Sequence, residues 1–247
     1  MNFKPTVMSS LVGLAIAGFA VSTQAQSFNE GFDGADIPAG WAIQNNSTRN
    51  STGNPWGVGV GITDPDGNIV VGPYDGAGFA IVNYTSVGSG SGTISNWLMS
   101  PEITGMNNGD TFSFWTTTTP ASAYPDRLEF RMSSAGDSVN VGTGANAFGD
   151  FGTTLLTINS ALTVGGYPEA WTQYTVTLSG LAAPVDGRVA LRYFVTSGGP
   201  TGDNSNIIGV DNFSYVAAVP EPATWAMTLG GLCLLLGARR ARRPTQA

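Results

Sequence analysis

The chain has 247 residues, 34 of them glycine, with 11% charged residues, a formal net charge of −7, one cysteine and no histidine. The missing histidine excludes a Ser-His-Asp triad, an imidazole-ligated zinc and any histidine proton shuttle. The acidic balance argues against nucleic acid as a partner, since that surface needs clustered Lys and Arg.

Lys4, an apolar stretch from Val7 to Ala20 and the small-x-small site Thr23-Gln24-Ala25 predict a signal peptide over residues 1–25, cut before Gln26. From Gln26 to Val219 there are sixteen acidic residues against five arginines and no lysine, a formal charge of −11. Cys233 lies beyond this region, so the exported part has no disulfide and must be held by its own core or by a bound ion. Nearly 200 residues are enough to bury such a core.

This middle region is rich in Gly, Ser, Thr and Asn and reads as one all-β domain over residues 26–218. Thr111-Phe-Ser-Phe-Trp115 is a predicted strand. Arg127-Leu-Glu-Phe-Arg-Met132 is the clearest, with Leu128, Phe130 and Met132 on one face and Arg127, Glu129 and Arg131 on the other. Tyr174, Val176 and Leu178 share a face in the next strand, and Val189, Leu191, Tyr193 and Val195 in the one after it. Ile207 to Tyr215 closes the series. Period-two alternation predicts antiparallel sheets, each with one wet face, packed into a sandwich. Long polar stretches at 44–54, 63–75, 87–93, 133–152 and 197–206 read as loops, either functional rims or mobile segments.

Val219-Pro220-Glu221-Pro222 is followed by an apolar run, 224–238, and by Arg239, Arg240, Arg242 and Arg243. A helix of those fifteen residues is about 22 Å long against a hydrocarbon core of about 30 Å, a marginal span with its arginines on the cytoplasmic side. The tail, 219–247, resembles the PEP-CTERM sorting signal of Gram-negative bacteria, with Pro220-Glu221-Pro222 matching the motif letter for letter. That resemblance implies an exosortase as processing partner, transient residence in the inner membrane through one short transmembrane helix, a periplasmic ectodomain, and final delivery to the cell surface or an exopolysaccharide matrix.

A second resemblance rests on ordered landmarks: Phe28-Asn-Glu-Gly-Phe32, Ile37-Pro-Ala-Gly-Trp41, Ile94 to Pro101, Thr111 to Trp115, Leu128 to Ser133, Trp171, and Ile208-Gly-Val-Asp-Asn-Phe213. Together they are similar to the choice-of-anchor J or cleaved-adhesin type of domain, which implies a jelly-roll β-sandwich related to MAM domains and carbohydrate-binding modules. A jelly roll sets its first and last strands side by side, which brings Glu30 and Asp33 toward Asp211 and Asn212. The resemblance implies a structural Ca2+ there, an ion that takes carboxylate and amide oxygens and needs no histidine. The alternative for Asp211 is acceptance of backbone hydrogen bonds at a strand entrance.

Among the aromatics, Trp97, Trp115 and Trp171 read as packing residues, and Trp41 as a cap on an open end of the sandwich. Trp56, in the polar stretch Asn54-Pro-Trp-Gly57, is the candidate exposed platform for a sugar, with Tyr124 as its partner. Asp64-Pro-Asp-Gly-Asn68 with Asp75 imitates EF-hand spacing, but position six is Ile69, and Asp66-Gly67 reads better as a hairpin turn. Asp126 and Glu129 point to opposite faces and make a poor catalytic pair; Asp110 with Glu169 is no better motivated. The expectation is a non-catalytic surface or matrix protein that binds polysaccharide or another surface component. A passive display domain without a ligand is the alternative, and a secreted glycan hydrolase the third reading.

Overall fold

The computed structural model describes residues 26–50, 53–64 and 66–219. The expected signal peptide and the sorting residues Pro220, Glu221, Pro222, Arg239, Arg240, Arg242 and Arg243 lie outside them. Among the described residues no helix is long and apolar enough to cross a membrane.

The described residues form two antiparallel sheets of six strands each and a small hairpin. The first sheet runs β12 (Thr172–Thr177), β9 (Thr111–Thr118), β14 (Ile207–Val216), β6 (Phe79–Asn83) and β3 (Gly57–Gly59), with β1 (Phe28–Glu30) also on β14. The second runs β11 (Thr153–Ile158), β10 (Leu128–Ser133), β13 (Val185–Gly198), β7 (Gly92–Met99) and β2 (Ala42–Asn45), with β8 (Ile103–Met106) on β13. The hairpin is β4 (Ile62–Thr63) with β5 (Ile69–Val71).

The alternation read from the sequence fixes how the sheets meet. Leu128, Phe130 and Met132 from β10 and Val189, Leu191, Tyr193 and Val195 from β13 are buried against Phe112 and Phe114 of β9 and Ile208, Val210, Phe213 and Tyr215 of β14. Phe130 packs across the gap, with ring centroids 5.6 Å from Phe112 and 5.4 Å from Phe114. Such offset and edge-on pairs add to the area term that drives the sheets together. The architecture is an all-β sandwich, and β1 does lie beside β14, in the register Phe28↔Tyr215 and Glu30↔Phe213. Trp41 packs edge-on against Phe32 and Phe213, at 5.1 and 5.2 Å.

The expected wet face of the second sheet is corrected. Arg131 and Arg192, on the strand positions opposite the core, are 7% and 2% exposed. The stretch 133–152, read as a rim or mobile loop, gives its first residue to β10 and from 134 on folds over them, sealing a second small core of Trp97, Met99, Val141, Phe151 and Ala190. Arg131 donates Nε to the Phe151 carbonyl at 2.8 Å. Arg192 donates Nη2 to the Ala145 and Ala147 carbonyls at 2.6 and 3.2 Å. Both guanidiniums share Glu129, at 2.9 and 3.0 Å. Burial pushes the Arg192 pKa down to about 10, with Glu129 opposing the shift, so the side chain stays charged at neutral pH. The stretch is a clamped cover, because β10 and β13 hold it by donating to its main-chain carbonyls.

Candidate functional site

Two places bring chemistry-bearing residues together. The first is the junction of β1 with β14. Asp211 is buried; its Oδ2 accepts the Tyr74 and Asp75 N–H groups at 2.9 and 3.2 Å, and its Oδ1 accepts Asn212 N–H at 2.7 Å. Asp33 Oδ1 accepts Ala77 N–H at 2.5 Å and Gly78 N–H at 3.3 Å. Asp33 Oδ2 and Asn212 Oδ1 converge on Gly31: a Cβ on that glycine would lie 2.9 and 3.5 Å from them. A Cβ on Gly76 would meet the Asp33 carboxylate from the other side. Phe32 and Asn212 hold left-handed backbone, at φ 52° and 45°, which costs energy in a non-glycine residue and clusters at functional sites. Burial raises the Asp211 carboxyl above its usual range, against the backbone donors that favour its anion.

These oxygens suit a hard cation in kind: two carboxylates and an amide carbonyl, with no sulfur or imidazole. In number they are few. Among the described residues no group of three or more Asp, Glu, His or Cys side chains is placed to hold a metal. Glu30 Oε1 instead accepts Phe32 N–H at 2.9 Å. Asp211 does accept backbone N–H groups, but from the middle of β14 rather than at a strand entrance, and it feels the charge of Asp33 as well. The EF-hand-like stretch is a turn, in which Asp64 Oδ1 accepts Asp66 and Asn68 N–H groups at 3.0 and 2.8 Å.

The second place is the loop end of the sandwich. Tyr84, in a short 3-10 turn after β6, and Tyr124, between β9 and β10, are 40% and 51% exposed and line one open cavity of about 270 Å³. Its floor comes from the β13–β14 loop, through Gly199, Pro200, Gly202, Ser205 and Asn206. Asn206 fastens the three segments together. Its N–H donates to Asp126 at 2.8 Å, its Nδ2 to Thr119 Oγ1 and Ser122 Oγ at 2.6 and 3.1 Å, and its carbonyl accepts Tyr84 N–H at 2.8 Å. Beneath it Asp126 is wholly buried, accepting Tyr193 Oη–H at 2.5 Å and Thr118 Oγ1–H at 2.8 Å. Burial raises its pKa to about 6 in spite of these donors.

Trp56 is corrected outright as a platform. It is 1% exposed, packs within the main core, and donates Nε1–H to the Asn96 carbonyl of β7 at 3.1 Å. A buried indole needs such a partner, so the polar neighbours of Trp56 mark a strand entry into β3. The exposed aromatic that shares a cavity with Tyr124 is Tyr84. Of the carboxylate pairs set aside from the sequence, Asp110 accepts N–H groups of Asn107 and Ala218 before β9, while Glu169 accepts Ala121 N–H beyond its far end. Asp126 faces Tyr193 and Glu129 faces the arginines.

No family model matches the chain, and no curated relative does. Among solved structures, the K1 cleaved-adhesin domain of Lys-gingipain (Kgp) from Porphyromonas gingivalis W83 matches at 21% identity and TM-score 0.50, covering 78% of this chain and 99% of that one. The K3 cleaved-adhesin domain of the same protein matches at 22% identity and TM-score 0.50, covering 77% and 98%. The sandwich is similar in fold to these cleaved-adhesin domains. At that identity the likeness concerns the fold alone; the sites must be argued from their own residues.

Proposed function

We propose that this is an exported, non-catalytic surface or matrix protein that binds polysaccharide at the Tyr84–Tyr124 cavity. The observation that carries the reading is the pairing of two exposed tyrosines over one cavity on loops cross-linked through Asn206. Tyrosine offers a large, rigid, amphipathic face at low entropic cost, and the hydroxyl and amide groups around it match sugar hydroxyls. A fixed site of this kind keeps more of its contact energy as affinity. The leader and the PEP-CTERM-like tail support export, with an exosortase and the inner membrane as transient partners and exopolysaccharide or another surface glycan as the ligand.

Screening the purified protein against neutral, amino-sugar and uronic-acid glycans tests this. Tyr84→Ala and Tyr124→Ala should each weaken binding about tenfold or more, about 1.4 kcal/mol, with melting temperature unchanged. Silence across all glycans would leave a passive display role.

The same reading assigns a structural Ca2+ to the strand junction, held by Asp33, Asp211 and Asn212, with Glu30 at its edge. Its chemistry there would be to neutralise two facing carboxylates and tie the 74–78 loop to the paired terminal strands. Calcium at a hundredfold excess over its Kd should add about 2.7 kcal/mol of stability. That gain should be reversed by chelator and absent in Asp33→Asn. A melting temperature indifferent to calcium would remove the ion from the proposal.

A further inference from the structure

The tyrosine cavity does not end where its tyrosines do. Tyr84 and Asn206 also line a second cavity of about 560 Å³, which continues past Thr119 and Pro120 to Val70 and Asp64. Val70 and Pro120 in turn line a third, of about 310 Å³, which runs along the β5 hairpin to Glu169 and Trp171. Trp171 is fixed as a wall by donating Nε1–H to the Gly72 carbonyl at 3.0 Å. Shared residues at both junctions place the three cavities in series.

Resting on the glycan-binding reading above, we propose that this series is one trench that takes an extended, uncharged polysaccharide chain, running from Tyr124 to Trp171. Length follows from the serial arrangement: a pocket for a terminal sugar is closed at one end, whereas here a chain that fills the first cavity meets further surface in the next two. Charge follows from the lining. Among the described residues Asp64 and Glu169 are the ionisable carboxylates along the trench, and no Lys or Arg lines any of the three cavities. The Asn68 side chain and the backbone N–H groups of the turn hold Asp64 in its charged form. Arg127, Arg131, Arg188 and Arg192 are committed to carbonyls elsewhere, and Arg49, exposed beside Gly90, lines none of the three cavities. A uronate or sulfate along the second and third cavities would therefore meet like charge with no cation in the lining, which works as discrimination against acidic polymers.

The test is titration of the purified protein with neutral oligosaccharides from disaccharide to octasaccharide, cut from whichever neutral polysaccharide binds in the screen, beside oligogalacturonate as the acidic probe. Affinity should rise about tenfold or more between disaccharide and hexasaccharide, and oligogalacturonate should not compete. Val70 is 42% exposed, so Val70→Arg should fold normally while blocking the trench at its second junction. The variant should keep disaccharide affinity and lose the gain with length. Binding that is independent of length, or that favours the acidic probe, overturns the trench while leaving the tyrosine cavity standing. Absence of binding to every glycan, or binding undiminished by Tyr84→Ala combined with Tyr124→Ala, overturns the underlying reading as well.

Discussion

Arg192→Ala is expected to destabilise the domain by about 3–5 kcal/mol, the cost of breaking a buried ion pair by removing one partner. The guanidinium lies 4.6 Å from the Trp97 ring centroid and 3.8 Å from that of Phe194, and reaches Glu129 and the Ala145 and Ala147 carbonyls. Truncation leaves the carboxylate with only Arg131 and strips one buried and one part-buried carbonyl of their donor. For a domain of this size the melting temperature should fall by roughly 6–20 °C. The loss should be local before it is global: limited proteolysis should cut within 134–152 at temperatures where the two sheets are intact. A variant that melts like the parent and resists cleavage there would show that the cover stays shut without its clamp.

Asp126→Asn should change the dependence of stability on pH more than stability itself. The Asp126 pKa is raised from 3.8 to about 6, so between those values the folded state binds a proton that the unfolded state releases. Stability from this group is therefore greatest at acid pH, falls as pH rises through that window, and levels off above about 6, a total change of about 3 kcal/mol. The groups facing it are Tyr193 and Tyr167, both pushed upward by burial and thus neutral throughout. Asparagine fits the same place. Its Oδ1 can keep the Tyr193 and Asn206 donors, while Thr118 can turn its proton to the Ile207 carbonyl and accept from Nδ2. The stability difference between parent and variant, followed by denaturant melts from pH 4 to 7, should shift toward the variant as pH rises. A difference that stays flat would mean that Asp126 is ionised throughout.

Much of the fold was legible because alternation carries it. The residue sets 128/130/132 and 189/191/193/195 face inward as their spacing dictates, and β1 meets β14. What spacing cannot show is whether the other face is wet. Arg131 and Arg192 occupy outward positions, and the apolar residues that return to cover them, such as Val141, Ala145, Phe148 and Phe151, are scattered through a Gly-rich stretch without a strand's alternation. Trp56 misled for a related reason: its flanking Asn54, Pro55 and Gly57 describe the backbone, whereas burial is decided by what packs above it. Of the candidate ligand residues Tyr124 was readable as an aromatic in a turn. Tyr84 was not, because it follows directly on the apolar residues of β6 with nothing to mark it as exposed, and Asn206 gave no signal, because its role depends on loops far apart in sequence.

The long strand β14 also sets an orientation. It starts beside Asn206, under the tyrosines, and after ten residues, about 30 Å at strand rise, ends at Val216. There the Ala217 N–H donates to Ser27 Oγ, so entry and exit of the chain meet at one pole. A tether joined at either terminus would grip the molecule by its base and turn the tyrosine-bearing crown outward, at the full height of the domain above whatever holds it.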